Sequence, residues 1–88
     1  MNFYAYVIYS DEKKIYIGHT NDLENRLARH NNHLPNKKSS FTHKQGKNWR
    51  LIHTERFTTR AEAQKREKQL KSSRGRNFIK QILEKSNL

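Results

Sequence analysis

Eighty-eight residues carry 19 Lys and Arg against 8 Asp and Glu, a net charge of +11, and only 32% of them are hydrophobic. Such a chain supports one domain, residues 1–88, with a thin core that four Tyr, four Phe and Trp49 must help to fill. The lack of cysteine excludes disulfides, thiolate metal centres and cysteine nucleophiles. No apolar run approaches a membrane span, and Met1-Asn2-Phe3-Tyr4 has neither the basic start nor the apolar stretch of a signal peptide, so the expected compartment is cytoplasmic. So strong a positive field on a small body points to nucleic acid as partner, DNA in the first instance. An anionic membrane surface would need a basic helix with a broad apolar face, which only the last predicted helix approaches, so no membrane role is expected.

In chain order, Phe3 to Tyr9 is aromatic and β-branched and predicts a strand. Ser10-Asp11-Glu12 reads as a turn, and Lys14 to Gly18 as a second short strand. With an odd number of residues in the turn, Tyr6 and Tyr16 point to one face as cross-strand neighbours, and a slip of one residue would separate them. Asn21 with Glu24 three residues on resembles a capping box and starts a helix that runs to about His30 or Asn31. Leu23 and Leu27 form its inward stripe, while Arg26 and His30, also four apart, share a neighbouring face.

Residues 31–48 are polar and basic and predict a long loop, of the kind that serves function in a compact domain. Trp49 to Phe57 alternates as a third strand, with Trp49, Leu51 and His53 on one side and Arg50, Ile52 and Thr54 on the other. Thr59 with Glu62 is a second capping box, opening a helix whose stripe of Ala63, Glu67 and Leu70 faces the body. Ser72 to Gly75 breaks that helix, and Phe78, Ile79, Ile82 and Leu83 mark the apolar face of a last one. The fold class that results is α+β: a small antiparallel three-stranded sheet flanked by helices, in the order β-β-α-β-α-α.

Two tyrosines, an arginine, a histidine and one distant carboxylate are what a metal-assisted phosphodiester hydrolase requires. It needs a base for water, a cation to offset charge on the reacting phosphate and an anionic metal ligand. The spacing is specific. Tyr6, in Tyr4-Ala5-Tyr6-Val7-Ile8, lies ten residues before Tyr16-Ile17-Gly18, and Arg26 ten residues after Tyr16, in Asn21-Asp22-Leu23-Glu24-Asn25-Arg26-Leu27. His30 follows one helical turn on, and Glu67 stands in Gln64-Lys65-Arg66-Glu67-Lys68-Gln69-Leu70. This set, in order over nearly the whole chain, resembles the GIY-YIG nuclease superfamily, and the tail from Lys71 to Ile79 is similar to its small single-domain bacterial members, relatives of the excision-repair nuclease subunit. The chain departs from the family pattern in having Tyr4 and Ala5 for the first glycine and isoleucine, and His19 where some members have lysine.

The resemblance implies an endonuclease that hydrolyses DNA phosphodiester bonds to a 5′-phosphate and a 3′-hydroxyl. It implies Glu67 as the single protein ligand of Mg²⁺ or Mn²⁺, a hard cation that keeps most of its waters. The structural alternative for Glu67 is a helix carboxylate paired with Lys71 or Lys68. Tyr6 and Tyr16 would position or deprotonate water, with nearby cations lowering a phenol that ordinarily titrates near ~10. Arg26 would fork onto the scissile phosphate, and His30 would accept a proton or touch the phosphate, its structural alternative being a helix C-cap. His30 and His33 at helical spacing lack a further close ligand for zinc. His19, Arg29, Lys37, Lys38, Lys44, Lys47 and Arg50 are candidates for tracking a nucleic-acid backbone, and Trp49 for the core. Targeting would come from a protein partner or a dimer. The competing expectation is a DNA- or RNA-binding module that kept the fold and lost useful turnover.

Overall fold

The computed structural model describes residues 1–31 and 48–86. The basic segment around Lys37, Lys38, Lys44 and Lys47 lies outside the described residues. The strands are β1 (Phe3–Tyr9), β2 (Ile15–Thr20) and β3 (Arg50–Phe57). The helices are α1 (Leu23–His30), α2 (Arg60–Lys71) and α3 (Ser73–Ser86). The sheet is three-stranded and antiparallel, as the sequence predicts, and the structure adds the strand order β2-β1-β3. β1 is central and buried from Ala5 to Tyr9.

The five residues between β1 and β2 form the turn. Ser10 is fully buried, and its hydroxyl accepts from the Lys14 amide at 3.1 Å. Lys13 closes the turn at φ 64, donating to the Ser10 carbonyl at 2.9 Å. The odd count gives a register of Tyr6 opposite Gly18 and Ile8 opposite Tyr16. The two tyrosines therefore share a face, as diagonal rather than directly opposed neighbours.

Strand alternation sends β1 into two cores. Ala5 and Val7 pack with Leu70 of α2 and Ile79 of α3, with Ile17, Ile52, Phe57 and Leu83 around them. Tyr6 and Ile8 pack with Trp49, and with Tyr16, Leu23 and Leu27, on the other face. The predicted alternation of β3 fails at one point. A register shift between Val7 and Ile8 pairs Val7 with His53 but Ile8 with Leu51, leaving Ile52 as the extra residue of a bulge. Leu51 and His53, predicted to share a side, thus lie on opposite faces, and Ile52 joins the aliphatic core.

Two helix boundaries also differ from the sequence pattern. Asp22, not Asn21, caps α1, its side chain accepting from the Asn25 amide at 3.1 Å. Thr20, buried at the end of β2, takes the Asp22 amide at 3.1 Å, which fixes the entry one residue later than the Asn21–Glu24 spacing implies. Thr59 does cap α2, accepting from the Glu62 amide at 3.3 Å, and its hydroxyl donates to Glu62 Oε1 at 2.9 Å. The break between α2 and α3 is confined to Ser72, whose hydroxyl accepts from the Gly75 amide at 3.3 Å, so Ser73 to Gly75 are already helical. Close packing requires glycine at 75. An added Cβ would sit 2.3 Å from the Gln69 carbonyl oxygen and 2.4 Å from the Leu70 backbone.

Candidate active site

Tyr6 is buried on the α1 face of β1, and its hydroxyl lies 2.9 Å from His30 Nε2 at the end of α1. The phenol reaches that far because Gly18 is its cross-strand partner. A Cβ at 18 would stand 2.8 Å from Tyr6 Oη, 2.9 Å from its Cζ and 3.0 Å from Tyr16 Cε1. The glycine of Tyr16-Ile17-Gly18 is thus a slot for an aromatic ring, not a flexible joint. Tyr16 packs at 6.2 Å from the Tyr6 ring and 4.8 Å from the His30 ring, and Trp49 stands 6.3 Å from His30 and 6.5 Å from Tyr16. Asn31 seats Trp49 by gripping its backbone twice. Its amide nitrogen donates to the Trp49 carbonyl at 3.0 Å, and its carbonyl oxygen accepts from the Trp49 N–H. This clamp ties the end of α1 to the start of β3.

Burial dominates the chemistry of the pair. It pushes the Tyr6 phenol far above its ordinary value; neighbouring Tyr16 pushes the same way, and Arg26 opposes them. The sequence expectation that cations would lower this phenol is therefore reversed. Burial also pushes the His30 imidazole down to about 4, and the charge of Arg26 acts in the same direction. At neutral pH the site holds an uncharged phenol bonded to an uncharged imidazole. Arg26 is exposed on α1, at the rim of a crevice it shares with Tyr6, Ile8, Leu23, Glu24, Leu27 and Leu51. Its guanidinium pairs with no carboxylate among the described residues, which keeps its fork open for an anion.

Glu67 stands across the sheet edge from this group. It projects from α2 between the fully buried Ala63 and Leu70, with its side chain 18% exposed. His19 Nδ1 donates to its Oε1 at 2.6 Å, and Lys71 Nζ to its Oε2 at 2.7 Å. Burial works to raise this carboxyl, but the bonds from Lys71 and His19 outweigh it and hold it below the ordinary carboxylate value. His19 alternates with Gly18, so the carboxylate belongs to the α2 face while Tyr6, Tyr16 and His30 belong to the α1 face. The two halves still feel each other across β2, because the Glu67 charge contributes to raising the Tyr6 phenol.

Of the sequence-predicted site residues, the structure brings Tyr6, Tyr16 and His30 into contact, with Arg26 at electrostatic range of Tyr6 and His30. His19, expected to face nucleic acid, is bonded to Glu67 with its side chain 24% exposed. Arg29 and Arg50 are exposed at the surface of α1 and at the start of β3. The four-residue spacing of Glu67 and Lys71 does bring them together, as the structural alternative for Glu67 anticipates. The Asn31 clamp on Trp49 is missed by sequence reasoning. Nothing local marks Asn31 as the partner of a residue 18 positions on.

This three-stranded sheet with its flanking helices and its matching sequence pattern places the chain in a nuclease-type family. The sequence pattern of the GIY-YIG catalytic domain matches residues 2–80, and the chain belongs to the GIY-YIG family. Among its relatives, UPF0213 protein SSP2268 of Staphylococcus saprophyticus subsp. saprophyticus is 31% identical over 81 residues, covering 92% of this chain and 94% of that protein. The solution NMR structure of UPF0213 protein BH0048 from Bacillus halodurans matches with a TM-score of 0.53 at 27% identity, over 93% of this chain and 85% of that one.

Proposed function

We propose that this protein is a divalent-metal-dependent endonuclease that hydrolyses DNA phosphodiester bonds. The observation that supports it most is the buried Tyr6–His30 pair at 2.9 Å, uncharged at neutral pH, within electrostatic range of an Arg26 guanidinium that no described carboxylate occupies. In this reading the Tyr6 oxygen accepts a hydrogen bond from the attacking water while its own proton is directed to His30 Nε2. As the water oxygen bonds to phosphorus and the bond from phosphorus to the 3′ oxygen breaks, the water proton passes to Tyr6 and the phenol proton to His30. An imidazolium with so low a proton affinity releases that proton to solvent, and the 3′ oxygen takes a proton from solvent to leave as a hydroxyl. Arg26 offsets the charge that builds on the phosphate.

Glu67 suits Mg²⁺ or Mn²⁺ by donor type, a hard oxygen ligand at a partly solvated edge. No group of three His, Cys, Asp or Glu residues able to hold a metal exists among the described residues, so such an ion would depend on water and phosphate for its remaining ligands. When bound, it would act as a Lewis acid that stabilises the leaving 3′ oxygen. His19 and Lys71 each donate to one carboxylate oxygen, so the ion would share those oxygens with them or displace them.

That same occupancy favours a second reading, a nucleic-acid-binding module without turnover. A digestion panel over single-stranded, branched and duplex DNA and RNA, with Mg²⁺ or Mn²⁺, separates the two. The endonuclease reading expects cleavage with 5′-phosphate ends, lost in Glu67→Ala and reduced roughly 10²–10⁴-fold in Tyr6→Phe. Tight, salt-sensitive binding unchanged by Glu67→Ala, with no product on any substrate, decides for the module.

A further inference from the structure

A groove of about 620 Å³ opens between the edge strand β2 and helix α3, on the face away from the Tyr6–His30 pair. Ile15, Ile79 and Leu83 supply its apolar lining, and Lys71, Arg76 and Lys80 its charge; among the described residues no Asp or Glu lines it. Ile15 is 42% exposed, so its side chain is open to an occupant of the groove. Arg76 and Lys80 are four residues apart on one face of α3, both exposed, and neither pairs with a carboxylate among the described residues. Lys71 joins the groove to the Glu67 carboxylate, and Tyr16 borders both the groove and the Tyr6–His30 pair. An apolar recess ringed by cations, continuous with a phosphate-directed site, has the chemistry of a nucleotide, which is a flat apolar-faced base beside a fixed negative charge. A recess of about 300–1,000 Å³ is the usual size for a small-molecule ligand. A base stacked inside a duplex has no face to offer such a recess, so the occupant must be unpaired or turned out of the helix.

We propose that the groove between β2 and α3 is a subsite for one unpaired nucleotide, its base against Ile15, Ile79 and Leu83 and its phosphate on Arg76 and Lys80. This rests on reading the chain as acting on nucleic acid, but not on its cutting. The test is therefore run without metal, in EDTA, with single-stranded oligonucleotides carrying 2-aminopurine at one scanned position, or an abasic site at that position. The expected result is an emission change confined to one position and about tenfold weaker binding when the base there is removed. Arg76→Ala with Lys80→Ala should weaken binding and lower the salt slope by about 0.7 for each phosphate no longer neutralised. Ile15→Asp should abolish the position-specific emission change. All three side chains are exposed, so the variants keep the fold, which circular dichroism verifies. Equal binding of abasic and intact strands, or emission that none of these substitutions alters, overturns the subsite. Failure of the endonuclease reading appears elsewhere, as absent cleavage in Mg²⁺ or Mn²⁺ or cleavage that survives Glu67→Ala.

Discussion

The two faces of the sheet are made from the same strand and behave as different materials. On the α1 side, Tyr6 and Ile8 meet Trp49, Tyr16 and His30, a layer of rings that carries the buried phenol–imidazole pair. On the α2–α3 side, Ala5 and Val7 meet Leu70 and Ile79 in a small aliphatic core. Alternate residues of one seven-residue strand thus line the proposed reactive site and the aliphatic core separately. Glu67 is the exception that joins them. It is mounted on the cohesive side, bonds His19 of the edge strand, and its charge is felt by Tyr6 on the other face.

If that division holds, substitutions on the two faces should split activity from stability. The largest effect belongs to Glu67→Ala, where cleavage should fall by at least about 10³-fold, or about 4 kcal/mol in the barrier, with a melting temperature close to wild type. Retained cleavage would mean that the carboxylate only anchors His19 and Lys71. Leu70→Ala should do the reverse, costing about 2–5 kcal/mol of stability by emptying a fully buried site, while the folded fraction cuts at the normal rate. Denaturant unfolding alongside activity per folded molecule reads both. Gly18→Ala probes the edge where the faces approach. The new Cβ meets Tyr6 Oη at 2.8 Å, so about 1–3 kcal/mol of stability and the Tyr6–His30 bond should disappear together, the latter visible in the His30 ring signals by NMR.

The most gradual effect is on pH dependence. His30 takes a proton near pH 4 when folded and near 6.5 when unfolded, so between these values the unfolded chain holds the extra proton. Stability should therefore decline as pH falls from about 6.5 toward 4, by roughly 1–3 kcal/mol, with no further loss from this group below that. Glu67 and Glu55, both held below 4.5, add their loss only as pH drops beneath that value. His30→Gln should erase the upper limb and leave the lower one, in melting temperatures measured from pH 7 to 3.

Much of the fold is legible in the sequence. Six elements in the right order follow from period-two and period-3.6 patterns and the Thr59 cap, and the odd turn length puts Tyr6 and Tyr16 on one face. The β3 bulge is not legible, because Leu51, Ile52 and His53 alternate well enough on paper. Only pairing with β1 reveals that Ile52 is extra. Nor is the direction of the Tyr6 shift, since the sequence displays the cations near the phenol but not the rings that bury it.

Local spacing along the chain is enough to carry the family, the element order and the residue types at the site. Spacing is silent on which side of the sheet each group occupies, on the hold of His19 and Lys71 over Glu67, and on the uncharged state of the phenol and imidazole at neutral pH. Those outcomes follow from which groups meet across the sheet and how far water is excluded from them, and both are set by packing between residues far apart in the chain.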